Sequence, residues 1–156
     1  KGLGKNLYTI EGLSDFGDFM TVVGFNFTKI NVERKQTPRG KIGIRNNINI
    51  KDITETDLSL GKSKETGLIF KFEFKSIYEP EVADITFTGE ILYLTEAKMI
   101  KEVLDKWKKE KKVEGAVLGE VLNSALTKCN IQALILSQEL NLPSPIPMPK
   151  IGVKKE

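Results

Sequence analysis

The sequence contains no histidine, and only one cysteine and one tryptophan, in 156 residues. Without imidazole there is no Ser-His-Asp or Cys-His nucleophile pair, no histidine-ligated zinc or haem, and no side chain whose ordinary pKa lies near neutrality. The single cysteine, Cys129, cannot close an internal disulfide. It lies among apolar residues at helical spacing and reads as a buried, inert thiol, a usage that fits a reducing cytosol. Long hydrophobic runs are also missing. No stretch approaches the ~18 apolar residues of a membrane-spanning helix, and the N-terminus lacks the basic-then-apolar layout of a signal peptide. The expectation is a cytoplasmic protein with no membrane insertion. Nor does one sign of charge dominate: 24 Lys and Arg against 21 Asp and Glu leave a formal charge of +3. Both signs are mixed along the chain, which argues against a surface built to neutralise phosphates.

What is present is 40% hydrophobic and 29% charged, the composition of an ordinary globular chain. At this length a fold buries about 68–70% of its unfolded surface, so neither disulfide nor structural metal is required. We read one domain over residues 1–156: an N-terminal extension (about 1–18), an antiparallel sheet (19–94), a helical part (95–140) and an extended Pro-rich tail (141–156). Strands followed by helices predict an α+β fold with a four-stranded antiparallel sheet rather than βαβ alternation.

Leu68, Phe70, Phe72, Phe74, Ser76 and Tyr78 share one parity, with Lys71, Glu73 and Lys75 on the other, so this strand buries one face. Glu79-Pro80-Glu81 ends it. The chain returns through Ile85, Phe87, Gly89, Ile91 and Tyr93. Ile42, Ile44, Ile48 and Ile50 mark another strand, preceded by a turn at Thr37-Pro38-Arg39-Gly40. The first strand, about 20–35, slips phase between Phe27 and Ile30, which predicts a bulge near Thr28 and Lys29. Residues 52–66 are polar, contain Gly61, and read as a connection with a short irregular strand around Leu58 and Leu60.

Thr95 is placed to cap a first helix over 96–110, whose stripe is Ile100, Val103, Leu104 and Trp107. A second helix, about 115–140, carries Val117, Leu118, Val121, Leu122, Ala125, Leu126, Cys129, Ala133, Leu136 and Leu140 on one stripe. Its latter half adds Ile131, Leu134 and Ile135, so it is apolar nearly all round. A helix with two greasy faces must bury both, and these three residues are the candidate subunit interface of a dimer or tetramer. The tail, Leu142 to Lys150, has proline at every second position. That spacing forbids helix and keeps the segment extended: a polyproline II ligand for a partner's aromatic groove, an exposed binding strip, or a segment packed along the chain's own sheet or helices, of which Ile146 and Met148 between the prolines favour the last.

Other motifs read as structure. Gly61-Lys62-Ser63 lacks the earlier glycine and the following helix of a P-loop. Gly2-Leu3-Gly4 is too short for a dinucleotide fingerprint. Asp15 with Asp18, and Glu79 with Glu81, read as solvated turn carboxylates. No catalytic constellation, metal site or cofactor site is expected. The cluster from Lys106 to Lys112 reads as a solvated helix end, with RNA contact as the alternative.

Taken together, the four-stranded sheet, the glycine inside Phe87-Thr88-Gly89-Glu90-Ile91, the long amphipathic helix and the extended Leu-Pro segment after it resemble the SecB-type export chaperones. The resemblance runs over roughly residues 20–150. The first helix falls where that family has a loop, and family members of the bacterial export type are strongly acidic whereas this chain is slightly basic. The resemblance implies an ATP-independent, oligomeric binder of unfolded or extended polypeptide rather than an enzyme. On that reading Phe25, Phe27, Ile146 and Met148 are the candidate groove residues. The alternative is an RNA- or ribosome-associated module using Lys106–Lys112.

Overall fold

The computed structural model describes residues 21–60, 62–113 and 115–152. Strands β1 (Thr21–Arg34), β2 (Gly43–Leu60), β3 (Ser63–Glu79) and β4 (Ala83–Leu94) precede helices α1 (Ala97–Glu110) and α2 (Ala116–Glu139). The fold is the expected α+β arrangement. All strand pairs are antiparallel, in the spatial order β1-β4-β3-β2. Strands β2, β3 and β4 form a meander with β1 returned beside β4, a Greek key. The segment 35–42 therefore crosses the end of the sheet from one edge to the other. It is pinned on the way: the Lys35 and Gln36 amides donate to the Val82 carbonyl at 2.9 and 3.3 Å, and Gln36 Nε2 donates to the Pro80 carbonyl at 2.6 Å.

Both helices lie on one face. Helix α2 packs across β1, β3 and β4, and α1 across β2 and β3. The residues facing them are those of the predicted parity: Leu68, Phe70, Phe72, Phe74 and Tyr78 of β3, and Ile85, Phe87, Ile91 and Tyr93 of β4, all essentially inaccessible. The two central strands supply large rings. Helix α2 answers with small side chains, burying Val117, Val121, Ala125, Cys129, Ala133 and Ser137 at intervals of four. Small residues at the contact let the helix approach a floor of aromatic rings without voids.

One glycine makes this packing possible. A Cβ on Gly89 would stand 2.5 Å from the Asn26 carbonyl oxygen and 2.6 Å from Phe72 Cζ. The Phe72 ring therefore lies across the bare β4 backbone and reaches Phe25 on the far side, stacking at 5.4 Å between centroids. Phe27 packs edge-on to Phe25 at 4.8 Å and to Phe87 at 5.4 Å.

The structure departs from the sequence reading in three places. Residues 52–60 and 63–67 are not a connection. They extend β2 and β3 into one long hairpin, paired from Thr54↔Ile69 to Leu60↔Ser63. The cause is a register shift between Ile50 and Asp52, which moves the inward face from Ile50 to Ile53 and breaks the period-two pattern. Beyond β4, which ends opposite Gly67, the hairpin has little to bury and so carries polar residues. Secondly, Thr95 does not cap α1. Glu96 is the N-cap, without a side-chain bond, and the Thr95 hydroxyl is buried with no partner among the described residues. Thirdly, β1 has a second irregularity, between Val22 and Gly24, besides the expected shift between Phe27 and Lys29. Gly2-Leu3-Gly4, the carboxylates Asp15 and Asp18, the N-terminal extension and Gly61 lie outside the described residues. Ser63, where a P-loop needs a helix, opens strand β3.

Candidate functional site

Strand β2 is an edge strand. Its residues Ile44, Ile48 and Ile50 stand opposite Tyr78, Phe74 and Phe72 on the helix-bearing face. Yet they are only half-buried, as is Ile42 just before the strand. Their opposite numbers on β3 are fully covered; the isoleucines are not, because the second layer thins out over this edge.

Two hollows succeed one another along the row. Near the helices, Ile48 and Ile50 face Leu118, Leu122 and Trp107 across a cavity of about 280 Å3. Further along, Ile42, Ile44 and Asn46 face the tail across a cavity of about 660 Å3. At ~3.3 Å per residue the row from Ile42 to Ile50 extends roughly 26 Å. Among the described residues no backbone hydrogen bond reaches the outer edge of β2. That edge is open to strand addition.

The tail is extended, as expected, and it packs on its own sheet. The Tyr78 hydroxyl donates to the Pro143 carbonyl at 2.8 Å, and Asn46 Nδ2 donates to the Pro145 carbonyl at 2.7 Å. Ser144 Oγ donates to the Ile146 carbonyl at 2.6 Å and accepts from the Ile146 amide at 3.3 Å. Both sheet donors lie on the inward face, so the tail crosses from β3 to β2 as a wall of the larger hollow. Burial pushes the Tyr78 phenol up to about 12, which keeps it a neutral donor. Burial also pushes the Cys129 thiol up to about 12, consistent with an inert thiol. Tyr93 is raised as well, by burial and by its hydroxyl bond to Glu120 at 2.9 Å.

The four candidate groove residues fall into two separate pairs. Ile146 and Met148 line the larger hollow on the β2 side. Phe25 and Phe27 lie on β1, the opposite edge of the sheet, half-buried in the aromatic cluster. One chain does not bring the pairs together. On α2, Ile131 and Ile135 are 55% and 48% exposed, while Leu134 is half-buried. The row Ile42–Ile50 was visible in the sequence only as a strand face; its position at an uncovered edge comes from topology. The lysines of α1 and its C-terminal turn at 108, 109, 111 and 112 are exposed, but Trp107 is buried. It offers nucleic-acid bases no open ring.

No protein-family model and no curated protein matches the sequence. Among solved structures the chain is similar to the Mycobacterium tuberculosis Rv1957 SecB-like chaperone in complex with a ChAD peptide from the Rv1956 HigA1 antitoxin. The two share 10% identity at a TM-score of 0.53, over 90% of this chain and 95% of that chain. The fold is SecB-like. At 10% identity the likeness is one of fold. Among the described residues, no helix of this SecB-like chain is long and apolar enough to cross a membrane.

Proposed function

We propose that the protein is an ATP-independent, chaperone-like binder of unfolded or extended polypeptide. The observation that carries this reading is the half-covered isoleucine row of β2, an edge strand whose outer side is unpaired among the described residues and which is walled by the tail on one stretch and by the helices on the next. An extended client adds to the edge through its backbone, which is tolerant of sequence, and drops alternate apolar side chains into the two hollows. Each 100 Å² of apolar surface removed from water contributes about 2.5 kcal/mol before the cost of ordering the client. No nucleotide is required for such equilibrium capture. The SecB-like neighbour, solved with a bound peptide, supports the same class of ligand.

Ile146 and Met148 then act at the tail end of the groove, and Phe25 with Phe27 form a second apolar strip at the β1 edge. Ile131, Leu134 and Ile135 form the contact between copies of the chain, giving a dimer or tetramer that works in the cytoplasm. The RNA-binding alternative has no observation in its favour. An aggregation-suppression assay with a chemically unfolded client tests the reading. Stoichiometric protein should keep the client soluble, and Ile44→Ser should weaken that protection. Client aggregation unchanged by stoichiometric wild-type protein refutes it.

A further inference from the structure

The near balance of charge over the whole chain conceals a segregated stretch. Residues 34–51, which cross the end of the sheet and then form the groove half of β2, carry six cations, Arg34, Lys35, Arg39, Lys41, Arg45 and Lys51, and no Asp or Glu. The tail from 141 to 152 adds Lys150, again without a carboxylate. These two stretches hold seven positive charges in a chain whose net charge is +3, so the remainder is net negative. The sign changes after Lys51, at the register shift where the isoleucine row ends: Asp52, Glu55 and Asp57 follow.

A client strand laid beside β2 has two faces, and only one of them meets the isoleucines. By alternation the other lies alongside Arg45, Asn47 and Asn49, on the side of the sheet without helices. Lys51 reaches the same side at the bulge, where its ammonium meets Glu73. Neither cation is used up by its own sheet. Arg45 meets Glu79 at 2.6 Å through one guanidinium nitrogen, yet its side chain is 69% exposed. Lys51 and Lys75 share a single oxygen of Glu73, at 3.3 and 3.2 Å, so two ammonium groups divide one negative charge. Arg39 and Lys41, in the turn that leads into Ile42, make no ion pair among the described residues. Opposite charges across a strand pair attract and like charges repel. A second copy of this edge would set cation against cation, the device by which edge strands avoid one another, so β2 is not built to pair with itself.

Resting on the polypeptide-binding reading above, we infer that the β2 edge selects acidic extended segments, in which apolar side chains alternate with Asp or Glu. The apolar set enters the two hollows on the isoleucine side. The carboxylates lie along the row from Arg45 to Lys51, with Arg39, Lys41 and Lys150 adding to the field at the tail end. A nucleic-acid strand would satisfy the cations but has neither alternating apolar groups for the hollows nor a peptide backbone for the edge. Surface pairs of this kind are individually weak. Selection therefore comes from their number and from steering of the encounter.

The test uses the full chain and three labelled peptides about a dozen residues long, with the same alternating apolar residues and three Glu, three Gln or three Lys at the intervening positions. By fluorescence anisotropy at low salt, the Glu peptide should bind about tenfold tighter than the Lys peptide, with the Gln peptide between them. Most of the difference should lie in the association rate. The spread should close as salt rises. Arg39→Gln with Lys41→Gln should slow association of the Glu peptide. Arg45→Gln with Lys51→Gln, whose native side chains are 69% and 54% exposed, should keep the circular dichroism of the wild type and narrow the spread further. Equal affinity for the three peptides overturns the inference while leaving polypeptide binding intact. So does tighter binding of the Lys peptide, an order and spread that survive both pairs of changes, or a single-stranded oligonucleotide that displaces the Glu peptide and binds more tightly. If none of the peptides binds at any salt concentration, the inference falls together with the function it rests on.

Discussion

Gly89→Ala is a methyl-sized change with a large expected effect. In most strand positions alanine is neutral or better, since it lowers the entropy of the unfolded chain by about 0.4–1 kcal/mol. At Gly89 the new Cβ would stand 2.5 Å from the Asn26 carbonyl oxygen and 2.6 and 2.7 Å from Phe72 Cζ and Cε1. An ordinary carbon–oxygen approach is no closer than about 3.3 Å, so β1 must retreat by about 0.8 Å. The ring must also leave its stack on Phe25. Overpacking of this kind costs about 1–3 kcal/mol, and a lost aromatic pair about 0.5–1.5 kcal/mol. Offset by the alanine entropy, the net destabilisation is about 2–3 kcal/mol, or roughly 5–10 °C in Tm for a chain of this size. Urea unfolding followed by far-ultraviolet circular dichroism measures it. Gly43→Ala is the control: its Cβ would meet nothing closer than the Glu79 Cβ, at 4.0 Å, so its effect should stay within about 0.5 kcal/mol. Adding Phe72→Leu to Gly89→Ala removes one of the two clashes, and the pair should be less destabilised than the sum by about 1 kcal/mol. A Gly89→Ala protein as stable as wild type would refute the account of the aromatic floor.

Four further outcomes are expected. Ile131→Glu with Ile135→Glu, at 55% and 48% exposure, should leave the circular dichroism unchanged and lower the mass found by size exclusion with light scattering; a mass unaltered from wild type removes α2 as the interface. Tyr78→Phe deletes the donor to the Pro143 carbonyl and should cost about 0.5–1.5 kcal/mol, with faster hydrogen exchange at Ser144 and Ile146 while the central strands keep their protection. Because the Tyr78 phenol is raised from 10.0 to about 12 by burial, the folded form holds its proton more tightly than the unfolded one. Its stability contribution is complete below about pH 10 and is lost as pH rises toward about 12, so alkaline unfolding should be less steep in Tyr78→Phe. Finally, Pro145→Ala with Pro147→Ala should slow amide exchange along 144–148 and weaken client binding; client affinity that is unchanged or improved counts against the open edge of β2.

Much of the fold is legible because the sheet buries one face only. The alternation of Phe70, Phe72 and Phe74 with lysine and glutamate identifies the central strand, and the three-residue gap from Phe27 to Ile30 locates the bulge at Thr28. The second long bulged strand is hidden by the same kind of event. The shift at Lys51 coincides with the point where the hairpin leaves the helix layer, so phase and hydrophobicity are lost together. The cap at Thr95 fails for a different reason: a hydroxyl pulled into the interior is no longer free to turn back on the first amides of the helix. For the site, alternation with proline points to Ile146 and Met148. The partner row from Ile42 to Ile50 looks like any half-buried strand, because edge position is a property of the Greek key and not of local sequence.

The prolines of the tail explain why an edge strand can lie beside an extended segment of its own chain and remain unpaired. A strand pairs through donors and acceptors that alternate along it. With Pro143, Pro145, Pro147 and Pro149 at every second position, one side of the tail has carbonyls but no N–H groups. Two of these carbonyls, at Pro143 and Pro145, are taken by side chains from the sheet, which fixes the tail without a backbone ladder. The tail therefore builds a wall against β2 and is chemically unable to zip onto it. An incoming segment with ordinary amides has no such restriction. The same composition that makes the segment extended thus keeps the neighbouring edge available, and removing the prolines should turn the wall into a competitor for the groove.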